Sequence, residues 1–191
     1  MLTIPPAISL ESAFFDLQDM DWETCSYYVI HSKPRQEKKS ALMMAQLTRP
    51  SFLPLYKKAM ERKSGSSRIR RYESLIPVFA GYLFGRLDHN DLKISHFNET
   101  VAHFIIVKPP ETAHFIFQLD QLRRALASEY TIAPYENFEK GALVKITSGS
   151  LKGMEGYVVE LKEKQTFVIE IDMVGRAVSI DIDASFLKKV H

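Results

Sequence analysis

From Gly141 onward hydrophobic and polar positions alternate with a period of two. Val144 and Ile146 interleave with Lys145 and Thr147, and Val178, Ile180 and Ile182 interleave with Ser179, Asp181 and Asp183. That period belongs to strands with one face buried. YVVEL, FVIEIDM and AVSIDID are further β-rich runs, and glycines at 149, 153 and 156 fall where the backbone turns, takes positive φ or approaches another strand closely. The pattern predicts a small antiparallel barrel of about five strands over residues 138–191.

Upstream the period changes. Ser26–Ser32 reads as a strand, and Pro34 suits the first turn of a helix running to about Leu47, with Ala41, Met44 and Ala45 on one face and Arg35, Lys38 and Lys39 toward solvent. Phe52–Tyr56 and Arg70–Val78 read as strands, as does Gly81–Leu87, in which Tyr82 and Phe84 share one face and Leu83 the other. His103–Val107 reads as a return strand, and Gln118–Ala127 as a helix aligning Leu119, Leu122 and Leu126. An α+β domain follows: an antiparallel sheet with packed helices. Ser128–Asn137 has no consistent period and contains Pro134, which marks it as a flexible linker between two independently moving modules. The expected division is an N-terminal extension (1–22), an N-terminal domain (23–127), the linker (128–137) and the barrel (138–191). In the extension, Phe14, Phe15 and Leu17 are expected to pack locally rather than on a partner.

Charge alters this picture only locally. With 25 basic and 23 acidic side chains among 191 residues, the chain as a whole has no bulk attraction for nucleic acid. The segment KKAMERKSGSSRIRR is different: seven of its fifteen residues are basic, only Glu61 is acidic, and Gly65 marks a hairpin tip. Such a run is either a solvated surface or a phosphate-contacting hairpin whose affinity falls with salt. The single cysteine, Cys25, excludes an internal disulfide and a cysteine-based zinc site and suits a reducing cytoplasm. No run reaches membrane-spanning length and no secretory signal is evident, so a cytoplasmic protein without membrane contact is expected. The six histidines lack metal-ligand spacing, GSLKG lacks the order of a phosphate-binding loop, and Cys25 has no evident base. No metal, cofactor or catalytic residue is expected.

FEKGALVKITSGSLKGMEGYVVEL, beginning at Phe138, resembles a KOW module, the small SH3-like barrel of NusG-type transcription factors and some ribosomal proteins. YYVIHSKPRQEKKSALMMAQL at Tyr27–Leu47, followed by GYLFGRLD at Gly81–Asp88, resembles the N-terminal domain of the same family. The order of motifs holds over roughly Ser26–His191 and is similar to the NusG/RfaH family, in the manner of a specialised paralogue. Ala80 stands where the family's F-P-G-Y has proline, so the start of that strand is expected to be shifted or bulged. The segment HNDLKISHFNETVAHFIIVKPP is shorter by a residue or two where many members carry a T-R-G-V turn.

The resemblance implies a transcription elongation and antitermination factor that binds RNA polymerase across its cleft, acts as a monomer and suppresses pausing or termination. It implies that Tyr28, Tyr82 and Phe84 line a depression for the polymerase clamp helices, with core packing as the alternative for each. Ser95 and His96, within Lys93–His96, match the loop that meets the gate loop, an ordinary surface histidine being the alternative for His96. Lys63, Arg68, Arg70 and Arg71 are candidates for nucleic acid, non-template DNA in particular. Met173, Val174 and Arg176 match the turn near which the barrel meets the ribosomal protein NusE or the termination factor Rho, an ordinary hairpin tip being the alternative. The family includes a barrel that refolds as a helical hairpin, but the density of β-branched residues here disfavours a stable helical state. A different class, an RNA- or ribosome-binding KOW protein, predicts tight RNA affinity in a domain that nonetheless carries Glu155, Glu160, Glu163, Glu170, Asp172, Asp181 and Asp183.

Overall fold

The computed structural model of the chain describes residues 14–16, 25–64, 68–94, 97–135, 141–161 and 164–190. The apolar run after Cys25 forms β1 (Cys25–Ser32). Helix α1 (Glu37–Gln46) follows, starting three residues later than Pro34. The delay has a local cause: Gln36 N–H closes a turn on the Lys33 carbonyl at 3.0 Å, and Arg35 sits in the left-handed region at φ 62°, where no right-handed helix runs.

Next come β2 (Ser51–Phe52), a long hairpin of β3 (Leu55–Ser64) and β4 (Arg68–Pro77), then β5 (Tyr82–Asp88). A 3₁₀ turn, a short helix α2 (Phe97–Thr100) and β6 (Val101–Ile106) lead into the long helix α3 (Pro109–Leu126). Strands β2, β5, β1 and β6 lie in that order in one antiparallel sheet, and β3 and β4 form a separate two-stranded ribbon. The expected shift or bulge at the start of β5 does not occur: its pairing with β1 runs unbroken from His31↔Tyr82 to Cys25↔Asp88. A turn closed by Tyr82 N–H on the Phe79 carbonyl, with Gly81 at φ 84°, does what proline would otherwise do.

The sheet is covered on both faces. Tyr28, Ile30, Leu83 and Leu87 pack toward Met44 of α1 and Phe97 of α2. Tyr27, Val29, Phe52 and Phe84 belong to the larger core with Phe115, Leu119 and Leu122 of α3, where Phe84 meets Phe115 edge-on at 5.6 Å. Each fully buried side chain of this kind contributes roughly 1.5–3 kcal/mol. Phe14, from the extension, is fully buried among Tyr27 and Phe52, as local packing requires; Leu17 lies outside the described residues.

Helix α3 begins at Pro109 rather than Gln118. Lys108 is extended, two prolines occupy the first turn where missing N–H groups cost nothing, and Glu111 and Arg123–Arg124 complement the helix dipole at opposite ends.

The C-terminal region contains β7 (Ile132–Tyr135), β8 (Ala142–Ile146), β9 (Glu155–Leu161), β10 (Lys164–Ile171), β11 (Arg176–Ile180) and β12 (Leu187–Lys189). They form one sheet in the order β12-β8-β9-β10-β11-β7. The strand beyond the expected five is β7, which comes from the segment read as linker and pairs with β11. Pro134 is tolerated because β7 is an edge strand. Nor does the barrel region hang free in this structure. One continuous apolar core joins Phe115, Leu119 and Leu122 to Val144, Phe167, Ile169 and Val178.

Candidate functional site

Register on the α3 side of the N-terminal sheet puts His31 of β1 between Tyr82 of β5 and His103 of β6. The His31 ring stacks on Tyr82 with centroids 4.9 Å apart, and its Nδ1 lies 3.4 Å from Nδ1 of His103. His31 and Tyr82 are half-buried and His103 is exposed, and Ile105, on the same side of the sheet, is 36 % exposed. Only Tyr82 of this group stood out in the sequence. His31 and His103 were findable, since their parity within their strands matches Val29 and Ile105, but their pairing depends on the β1–β6 register.

Of the other residues assigned to a polymerase contact, Phe84 is 0 % and Tyr28 3 % exposed. Between partner surface and core, these two side chains are core. Burial also raises the pKa of Tyr28, with Asp88 and Asp91 adding to the effect. Ser95 and His96 lie outside the described residues. The loop before them is anchored by Asp91, whose carboxylate is held by Arg49, with Nη2 2.9 Å and Nε 2.8 Å from its two oxygens, and accepts from Asp88 N–H at 2.8 Å.

The basic segment, expected as a hairpin tip between strands Phe52–Tyr56 and Arg70–Val78, lies mostly within the ribbon strands themselves, β3 and β4. Pairing is continuous from Leu55↔Pro77 to Ser64↔Arg68, so residues facing each other share a side. Arg70 lies opposite Arg62, and Arg71 opposite Glu61, to which its Nε bonds at 2.9 Å. Two residues assigned together from sequence, Arg70 and Arg71, therefore lie on opposite faces. Lys63 and Arg68 are placed in the strands by their backbones only.

The turn between β10 and β11 is a 3₁₀ turn, Asp172–Val174, closed by Gly175 at φ 57°. Met173 and Val174 are half-buried against the core and Arg176 is exposed. This turn is not a free tip: α3 holds it. Gln118, almost fully buried, donates from Nε2 to Asp172 Oδ2 at 2.9 Å and accepts from Asp172 N–H at 3.2 Å. His114 Nε2 lies 3.0 Å from the same Asp172 oxygen. One turn along, buried Gln121 accepts from Glu155 N–H at 2.6 Å, and Arg124 donates to the Lys152 carbonyl at 3.2 Å. His114, Gln118 and Gln121 share one helical face, a signal visible only once the helix is known to begin at Pro109.

Among the described residues no group of three or more His, Cys, Asp or Glu is placed to hold a metal, and no helix is long and apolar enough to cross a membrane.

Residues 25–125 match the family described as "Transcription termination factor nusG". Among solved structures, one described as "Domain interaction in Thermotoga maritima NusG" is similar at 16% identity, covering 88% of this chain and 99% of that chain, with a TM-score of 0.45. No curated protein sequence matches. The family match takes in β1, the whole sheet, the ribbon and nearly all of α3, more than half of the 191 residues. The chain belongs to the NusG family of transcription factors.

Proposed function

We propose that the chain is a non-enzymatic, specialised elongation factor that binds RNA polymerase across the cleft through residues 23–127 and suppresses pausing or termination. The carrying observation is the family match over the sheet that presents the partly exposed His31–Tyr82–His103 cluster. In this reading Tyr82 meets the clamp helices, Phe84 supports that surface from the core beneath it, Tyr28 stabilises the sheet from its other face, and Ser95 and His96 meet the gate loop. Binding that favours the elongating conformation suffices as mechanism, without a chemical step. The barrel recruits NusE or Rho through Met173, Val174 and Arg176, and the ribbon reaches non-template DNA. The factor works in the cytoplasm as a monomer.

Single-round transcription with purified polymerase on a template carrying a pause site and a terminator tests this reading. The expected result is a shorter pause and more read-through with the protein present. More termination, or no change at saturating protein, contradicts it.

One observation favours a second reading, an RNA-binding barrel: a shallow groove beside β8 and β12 is lined by Lys145, Lys152, Lys188 and Lys189. RNA affinity that disappears in a Lys188→Glu/Lys189→Glu variant supports that reading over the first.

A further inference from the structure

We propose that His31 and His103 form a binding site for a divalent transition-metal ion of the zinc class, held through Nδ1 of both rings. This site is independent of the transcription-factor reading and is tested on the free chain without polymerase, so either can fail alone.

The two histidines are 72 residues apart in sequence, where no local spacing announces them, and the β1–β6 register sets them directly opposite each other. Facing residues of an antiparallel pair have Cβ atoms about 4.5–5.5 Å apart, a separation fixed by the ladder and not by a loop. The ladder is interrupted at the very next step, where Ser32 pairs with Val101 and Ala102 is left as an extra residue. Such a bulge re-aims the side chains beside it. The two rings are inclined at 59° with centroids 4.6 Å apart, whereas their Nδ1 atoms are 3.4 Å apart, so the nitrogen edges converge.

That separation decides between two uses of the pair. A well-formed hydrogen bond from an N–H group spans about 2.7–3.2 Å, and 3.4 Å leaves one stretched. Two imidazole nitrogens bound at about 2.0–2.1 Å to one tetrahedral ion stand about 3.3–3.4 Å from each other, which matches the pair as found. The surroundings keep the His31 ring in place. Tyr82 stacks on its face at 4.9 Å, and Gly81 leaves room along its far edge, where a Cβ would come within 3.4 Å of Nε2. Glu37 fixes the turn that carries both neighbours by accepting from Gly81 N–H at 2.8 Å. His31 is half-buried and His103 exposed, so an ion reaches the pair from solvent. Among the described residues no third His, Cys, Asp or Glu completes the set, and water fills the remaining positions in the free chain. Neutral imidazole suits zinc, nickel and copper, whereas magnesium prefers oxygen ligands and gains little here.

Isothermal titration calorimetry on the tag-free full chain, stripped with a chelator, tests the site with Zn²⁺ and Mg²⁺ as probes. Zn²⁺ is expected to bind and Mg²⁺ is not. His31→Gln and His103→Gln should each weaken Zn²⁺ binding at least about tenfold, since losing a group that merely orients a ligand already costs about 10–100-fold. His114→Gln, on α3, should leave it unchanged. Long-range ¹H–¹⁵N spectra of the parent chain should show both His31 and His103 as the Nε2–H tautomer, with Nδ1 resonances that shift on adding Zn²⁺, a signature that a purely structural role for the pair would not produce. Thermal melts establish that each variant is folded. Absence of Zn²⁺ binding, equal binding of Mg²⁺, Zn²⁺ binding unchanged in His31→Gln or His103→Gln, or Nδ1 resonances that do not respond to Zn²⁺ overturns the proposal.

Discussion

Gly156 shows how narrowly one residue can be fixed by its neighbours. A Cβ there would lie 2.5 Å from the Val168 carbonyl oxygen and 2.7 Å from the Phe167 ring, because β9 and β10 pass closely at that point. Gly156→Ala is expected to destabilise the chain by about 1–3 kcal/mol, as overpacking does. Gly153→Ala has open space but a φ of 87°, and should cost about 1–2 kcal/mol from backbone strain alone. Denaturant titration of both variants checks these values. Tyr27 is governed by burial in another way. Its hydroxyl donates to the Phe14 carbonyl at 2.8 Å, and burial raises its pKa above 10.0, with Arg86 opposing. A pKa raised in the folded state gives stability that is whole below pH 10 and is lost as pH rises through the folded value, so alkaline unfolding should be shallower in Tyr27→Phe. Turn glycines were legible in the sequence because glycine has few other reasons to recur at such spacing. The burial of Tyr28 and Phe84 was not: alternation shows which side chains share a face and leaves open what covers it.

At the scale of elements, α3 has the widest reach. Its apolar stripe packs on the N-terminal sheet while Gln118 and Gln121 hold backbone N–H groups of the barrel region. Replacing either glutamine with alanine removes the acceptor of a part-buried backbone N–H, at a cost of roughly 0.5–1.5 kcal/mol. Gln118→Ala and Gln121→Ala are expected to raise amide exchange at Asp172 and Glu155 respectively, while exchange in β1 and β5 stays unchanged. Equal exchange in both variants and the parent chain would mean that the contact does not form in solution. Sequence periodicity located every strand of the N-terminal sheet except two-residue β2 as a separate unit. It missed the first two turns of α3, since PPETAHFIF mixes prolines and polar residues there. It also read β7 as irregular, because Pro134 disqualifies a central strand and the edge position that admits it is a property of the sheet.

For the whole molecule, docking on α3 has two consequences. The turn carrying Met173 and Val174 is held through Asp172, so a partner that needs their apolar side chains must displace α3 first. The His31–Tyr82–His103 cluster, by contrast, keeps its exposure with the barrel docked. The full chain therefore presents its proposed polymerase contact without opening. The most direct measurement is binding of the full chain to core RNA polymerase, for the parent and for a Tyr82→Ala/His103→Ala variant shown to be folded. The account predicts that the parent binds and that the double variant binds at least about tenfold more weakly, as loss of a central aromatic contact requires. Absence of binding by the parent, or equal binding by the folded variant, would contradict it.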